Sequence, residues 1–158
     1  MNSDLQKQDE TFMRKALTEA QAAFEEGEIP VGAVVVCQGR IISRAHNLTE
    51  TLTDVTAHAE MQAITSGANM LGGKYLKDCT LYVTLEPCQM CAGAIVQARI
   101  PEVVMGCMNP KAGCAGSILN ILDMPQFNHQ VSVTRGILEQ ECSDMLKLFF
   151  SELRVRNK

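Results

Sequence analysis

Seven consecutive residues, Val31 to Cys37, bear no polar side chain, and four of them are valine. β-Branched side chains favour extended backbone. The run therefore reads as a buried strand, apolar toward both faces. No unbroken stretch of apolar residues and glycine in the chain is longer. A membrane-spanning helix needs about 20 such residues. Eight of the first ten residues are polar, so no secretion signal is expected either.

Around this strand the hydrophobic period alternates. Phe12, Ala16, Leu17, Ala20 and Phe24 recur at helical spacing with charges between them. They predict a helix over about 9–26, ended by Gly27 and Pro30. Gln38-Gly39 predicts a turn, and Arg40 to Ala45 the returning strand of a hairpin. The polar, Thr-rich stretch Asn47 to Thr56 reads as a loop, and Ala57 to Leu71 as a helix stopped by Gly72-Gly73. Thr80 to Leu85 is a further strand, and Pro87 opens a helix to about Arg99. Val103 to Cys107 is a strand, Asn109 to Ser117 a loop of small residues, Val131 to Thr134 a short strand, and Leu138 to about Arg154 a last helix.

Strands alternating with helices imply a layered α/β fold whose sheet is at least partly parallel. No repeat, low-complexity tract or linker interrupts the pattern, so residues 1–158 read as one domain, with a core over about 12–150 and a basic helix end at 147–158. That length buries a core without help from disulfides or a structural metal. With 46% apolar and 20% charged residues, collagen-like, fibrous and disordered classes are excluded.

Seven cysteines are an odd number for a disulfide framework. They point to a reducing, cytosolic setting, where thiols are packed, catalytic or metal-bound. Two of them carry a pattern. Pro87-Cys88-Gln89-Met90-Cys91 follows His58-Ala59-Glu60, with Cys88 thirty positions after His58. Helix positions i and i+3 share a face, so Cys88 and Cys91 can grip one ion. A helix start also favours thiolate over thiol. Alone, such a pair is a redox dithiol or half of a structural zinc site. His58, also at a helix start, supplies a third ligand and leaves one tetrahedral position for water, the mark of catalytic zinc.

Glu60 is the decisive neighbour. In mid-helix, i and i+2 point to nearly opposite sides. At a helix end both side chains reach past the terminus, which places Glu60 beside the water rather than on the metal. Zinc lowers the pKa of its water from 15.7 to about 7, and a nearby carboxylate can take that proton and pass it on. Two thiolates and a neutral imidazole cancel the ionic charge and leave a Lewis acid. A closed structural site would need a fourth ligand, from Cys79, Cys107 or Cys114, each isolated in sequence. Cys37 and Cys107 read as strand core and Cys142 as helix packing.

At these residues the chain resembles the zinc-dependent nucleotide deaminases, whose signature is H-x-E followed by P-C-x-x-C. The similarity spans about 12–150. Ile29 to Val34, Leu81 to Cys88, Met90 to Ile95, Gly113 to Ser117, Asn128-His129 and Phe149-Phe150 resemble the bacterial tRNA-specific adenosine deaminases within that superfamily. The segments 84–95 and 113–117 favour these over free-base deaminases.

The resemblance implies a three-layer α/β/α sandwich around a five-stranded mixed sheet, cytidine-deaminase-like, with one Zn²⁺ per subunit and a homodimer in the cytoplasm. It implies hydrolytic conversion of adenosine to inosine at the wobble position of a tRNA anticodon. His58, Cys88 and Cys91 carry over as zinc ligands and Glu60 as the proton shuttle. Asn47 reads equally as a turn asparagine after His46 or as a group suited to an adenine edge; the resemblance favours the second. Val31, Ala59 and Leu85 are expected to wall the pocket, Asn109 and Lys111 to approach the substrate strand, and His129 and Phe149 to contact RNA. Several relatives carry an acidic residue where this chain has Asn109. Gly93, between Ala92 and Ala94, weakens its helix unless a neighbouring helix or subunit packs close.

The net charge of −4, from 14 basic and 18 acidic residues, argues at first against a nucleic-acid partner. Its distribution changes that. Residues 1–28 hold three basic and seven acidic side chains, whereas 29–158 hold eleven of each. From Lys147 onward four basic residues face Glu152 alone. The acidic excess reads as the solvated face of the first helix. A neutral body fits recognition of one loop shape rather than of polyanions at large.

Two other functions stand beside this one. A deaminase of free guanine, cytosine or a nucleoside shares the metal residues but gives Lys111 and the basic end nothing to meet. A zinc-stabilised RNA-binding module without catalysis has four protein ligands and no use for Glu60.

Overall fold

In the computed structural model, which describes residues 3–157, the valine run becomes an interior strand, β1 (Gly32–Cys37). It pairs antiparallel with β2 (Arg40–His46) on one edge and with β3 (Cys79–Leu85) on the other. β3 continues parallel to β4 (Glu102–Cys107), and β4 to β5 (Ser132–Thr134). The order β2-β1-β3-β4-β5 is the five-stranded mixed sheet that the resemblance implied.

Alternation along the strands splits the core into two layers. Val31, Ala33, Val35, Leu81, Val83, Val103 and Met105 pack with Ala59 and Ala63 of α2 (Ala59–Leu71) and Ala92 and Ile95 of α3 (Gln89–Gln97). Val34, Val36, Tyr82 and Val104 pack with Met13, Ala16 and Leu17 of α1 (Ser3–Glu25) and Cys142 of α4 (Glu139–Arg156). The result is helix, sheet, helix. Gly32 makes one of these contacts possible: a Cβ there would lie 1.9 Å from the Ala16 carbonyl oxygen and 2.5 Å from the Ala20 nitrogen. Only glycine lets α1 lie this close to β1.

Four elements depart from the sequence reading. α1 starts at Ser3, and its first six residues are exposed, so no apolar periodicity marks them. α2 and α3 start two residues later than expected, which leaves His58 and Cys88 as cap residues rather than first-turn residues. A 3₁₀ turn at Ile121–Asp123 was not expected; it delivers Leu122 into the core.

The mixed pairing sets the position of the site. β3 and β4 run parallel, so both release the chain at the same end of the sheet. β1 is antiparallel to β3, so the chain enters β1 at that end, and β2 leaves from it. Four chain segments and the starts of α2 and α3 converge there. No helix among the described residues is long and apolar enough to cross a membrane.

Candidate metal centre and substrate cleft

His58 caps α2 and Cys88 caps α3, both with extended backbone (ψ 155° and 179°). Neither side chain bonds its own helix start, so both are free to point elsewhere. Gln62 fixes the start of α2: its amide donates to the carbonyls of His46 at 2.8 Å and Ala57 at 3.2 Å. Cys91 is buried in the first turn of α3.

His58 Nδ1 lies 3.7 Å from Cys88 Sγ and 3.6 Å from Cys91 Sγ. Among the described residues these three form the one histidine, cysteine and carboxylate cluster whose donor atoms lie within 4.8 Å of one another. Zinc bond lengths and tetrahedral angles separate sulfur from nitrogen by about 3.6 Å. The spacing and the donor chemistry fit a metal ion. No other cysteine joins them. Cys79 stands opposite Cys37 in the β1–β3 register, where burial and then Cys37 push its thiol up to about 12. Cys114 is buried, with its thiol donating to the Ala112 carbonyl at 3.6 Å.

The trio is electrostatically coupled. The Cys88 thiol is pushed down to about 4, chiefly by the hydrogen bond from the Cys91 thiol and then by His58, against the effect of burial. Cys91 moves upward, because it gives that hydrogen bond and is itself buried. His58 is raised by its hydrogen bond to Cys88 and by the charge of Glu60. Glu60, at the second position of α2, is buried, and that burial pushes its carboxyl up to about 7. One thiolate thus forms readily, and a carboxyl able to hold a proton stands beside it.

The cleft above the trio has a volume of about 190 Å³. The chain entering β1 contributes Ile29 and Val31, and the chain leaving β2 contributes Asn47 and Thr49. His58, Ala59 and Glu60 come from the start of α2. Leu85, Glu86 and Cys88 follow from β3, and Asn109 from the loop after β4. The structure thus brings together the three metal-ligand candidates, Glu60 and five of the expected substrate residues: Val31, Asn47, Ala59, Leu85 and Asn109. A second cavity, a groove of about 670 Å³, shares Ile29, Leu85 and Asn109 with the cleft and continues along α4 past Lys111, Lys147, Phe150 and Arg154.

Two expected residues lie elsewhere in the chain. Phe149 is buried, edge-on to Phe24 at 5.7 Å between ring centres, and the exposed partner that lines the groove is Phe150. Adjacent helix residues point about 100° apart, so only one of the pair can face out. His129 bonds the Ile100 carbonyl at 2.7 Å, just before β4 begins. That is the end of the sheet away from the cleft.

Sequence reasoning missed four acidic residues with structural work. Glu19 and Glu26 of α1's face and its C-terminal turn each reach one ring nitrogen of His46, both at 2.9 Å. Part of the acidic excess therefore holds β2 rather than only meeting solvent. Glu86 is buried and accepts from the loop 109–117, and Glu28 is fully buried and accepts from the loop after β2. In both, burial alone would raise the carboxyl, and the hydrogen bonds together outweigh it and hold it below the usual value.

Residues 7–154 match the family described as MafB19-like deaminase. The chain is 52% identical over 151 residues to the tRNA-specific adenosine deaminase of Bacillus subtilis, covering 96% of this chain and 94% of that one. It is 51% identical over 145 residues to the protein of the same name in Aquifex aeolicus, covering 92% and 95%. A solved tRNA:A34 deaminase, described for A-to-I editing at the wobble position of transfer RNA, superposes with a TM-score of 0.83 at 44% identity, over 86% of this chain and 99% of that one. A guanine deaminase from Nitrosomonas europaea shares the fold, with a TM-score of 0.79 at 21% identity over 90% of this chain and 84% of that one.

Proposed function

Because the chain belongs to the MafB19-like deaminases, and within them to the family of the tRNA-specific adenosine deaminases, we propose that it hydrolyses adenosine to inosine at the wobble position of a tRNA anticodon. The observation that carries this reading is the enclosed Glu60 beside the His58, Cys88 and Cys91 cluster, at the floor of a cleft that opens into a basic groove. The cleft suits one base, and the groove suits the strand that carries it.

His58, Cys88 and Cys91 would hold one zinc ion, which when bound acts as a Lewis acid and acidifies a water molecule. The remaining work falls to this chain's own residues. The target base must leave the stack, at a cost of a few kcal/mol that is least in a single-stranded loop. Val31 and Leu85 give it apolar walls, and Asn47 meets its polar edge with donor and acceptor together. Glu60 takes one proton from water and delivers it to N1 of the adenine, then takes the second from the new C6 hydroxyl and delivers it to the departing amino group. Water adds at C6, the C6–N bond breaks, and ammonia and inosine result. Asn109 stands where cleft and groove meet. Lys111, Lys147, Arg154 and the ring of Phe150 then face the neighbouring nucleotides, in the place first expected of Phe149.

A homodimer goes with the family and with one local fact. A Cβ at Gly93 would meet nothing within 4 Å, so this chain alone gives the glycine in α3 no packing partner. His129, at the far end of the sheet, reaches RNA only across such a second copy. A cytoplasmic setting accords with the tRNA substrate and seven free thiols.

The test is inosine formation in an anticodon stem-loop carrying A at the wobble position, alongside free adenosine, guanine and cytosine. Turnover of the stem-loop is expected. Ammonia release from the free compounds alone would overturn the tRNA reading in favour of a small-molecule deaminase.

A further inference from the structure

Glu28 and Glu86 take no part in the steps above, yet each is buried beside the cleft, at 0% and 1% exposure. Glu86 follows the last residue of β3. Its Oε1 accepts the Asn109 N–H at 2.8 Å and the Ser117 hydroxyl. Its Oε2 accepts the N–H groups of Ala115 at 3.1 Å and Ser117 at 2.9 Å. An ionised carboxylate offers about four lone-pair sites, and here all are used. Glu86 therefore has no free site for a proton in transit. The loop backbone closes tightly on it: a Cβ at Gly113 would lie 2.2 Å from the carboxylate carbon. Cys114 N–H also bonds the Pro87 carbonyl at 2.8 Å, beside the metal-ligand candidate Cys88.

Glu28 does the corresponding work on the other side. It accepts the N–H of Glu50 at 3.1 Å on one oxygen and of Thr51 at 2.6 Å on the other. The residues flanking this anchor, Asn47 and Thr49, line the cleft. Some N–H groups of each loop meet backbone carbonyls, Asn47 on Val31 and Gly113 on Asn109 among them, but those of Glu50 and Thr51 in one loop and of Asn109, Ala115 and Ser117 in the other have no such partner. In each, a buried anion takes the place of that partner, and hydrogen bonds to a charged acceptor are roughly twice as strong as neutral ones.

We propose that Glu28 and Glu86 are the positioning residues of the cleft: Glu28 holds the wall that carries Asn47 and Thr49, and Glu86 holds the wall that carries Asn109. The inference rests on the base-binding reading above. Neither carboxylate touches the reacting atoms. Each sets where the groups that meet the base and its strand stand, so its loss weakens substrate binding more than the chemical step.

Glutamine tests this, because its NH₂ would face N–H donors that now meet oxygen. With the zinc-loaded enzyme and a wobble-adenosine stem-loop, Glu86→Gln and Glu28→Gln are each expected to raise KM about tenfold, as for about 1.4 kcal/mol of lost binding. Metal content should stay at the wild-type level, and kcat within about threefold of it. Amide hydrogen exchange should quicken at Asn109, Ala115 and Ser117 in the first variant and at Glu50 and Thr51 in the second, each leaving the other loop protected. Should Glu86→Gln fail to fold, Ser117→Ala removes only the hydroxyl donor and is expected to raise KM about two- to threefold. Faster exchange with unchanged KM would overturn the proposal, because the substrate would then not use the loop order. So would a fall in kcat at constant KM, or loss of protection throughout the sheet. Wild-type protein that leaves the stem-loop unmodified would instead defeat the functional reading, while the exchange data would still report whether the carboxylates hold their loops.

Discussion

One half of the cleft is built on helices and the other on loops. His58, Glu60, Cys88 and Cys91 stand at two helix starts seated on the sheet, where Ala59, Ala63, Ala92 and Ile95 are fully buried. Asn47, Thr49 and Asn109 stand on loops held by a few N–H groups that converge on Glu28 and Glu86. The chemical groups inherit the rigidity of the core. The groups proposed to face the base and strand stand on loops whose order adds buried carboxylate acceptors to a few backbone and core contacts, such as Asn47 N–H on Val31 and the buried Ala115. Recognition in such a molecule can change by altering a loop while the reacting centre keeps its geometry.

The largest expected effect lies in the helical half. Cys91→Ala removes a buried ligand, so bound zinc measured on purified protein should fall from one per chain to near zero, and deamination with it. A variant that kept full metal would show that the cluster is not the metal site. Glu60→Gln should leave zinc in place and lower turnover of the stem-loop by about 10²- to 10⁴-fold, the usual contribution of a positioned acid–base group. Activity within threefold of wild type would remove Glu60 from the proton path.

The loop half should respond differently. Gly113→Ala forces a methyl group against the Glu86 carboxylate, an overpacking worth about 1–3 kcal/mol. We expect a several-fold rise in KM and a lower melting temperature with normal zinc content. If kcat fell instead, the two halves would not be separable. The smallest effect is on pH dependence. Glu28 has a folded-state pKa below the unfolded value of 4.5, so its contribution to stability is full above that value and fades as pH falls through the folded pKa. Between pH 6 and pH 4 the urea midpoint should therefore drop further in wild type than in Glu28→Gln. Equal drops would show that Glu28 is not a source of the acid sensitivity.

The same division governs what the amino-acid sequence made legible. The metal cluster and Glu60 could be read because their chemistry demands scarce residue types at fixed spacing, and helix starts put such spacings on one ion. The strands and most helix cores were legible through apolar period. Glu28 and Glu86 were not, because a carboxylate that accepts from a loop more than twenty residues away looks, in sequence, like any other surface acid. The two carboxylates that hold His46, on and just beyond α1, follow from no spacing in the sequence. Phe149, expected from the sequence to face RNA, is instead taken into the core, and its neighbour Phe150 is the exposed member of the pair. Facing depends on helix phase relative to Phe24, which no spacing reveals. The first six residues of α1 carried no signal because all of them are exposed and none has a place in the core pattern.

The hairpin turn at Gln38-Gly39 joins β1 to β2 at the end of the sheet away from the cleft. A Cβ at Gly39 would meet no atom within 4 Å. This turn is an attachment point: a fluorophore, an affinity peptide or a fused targeting domain placed there would extend from the protein without crossing the path of the substrate.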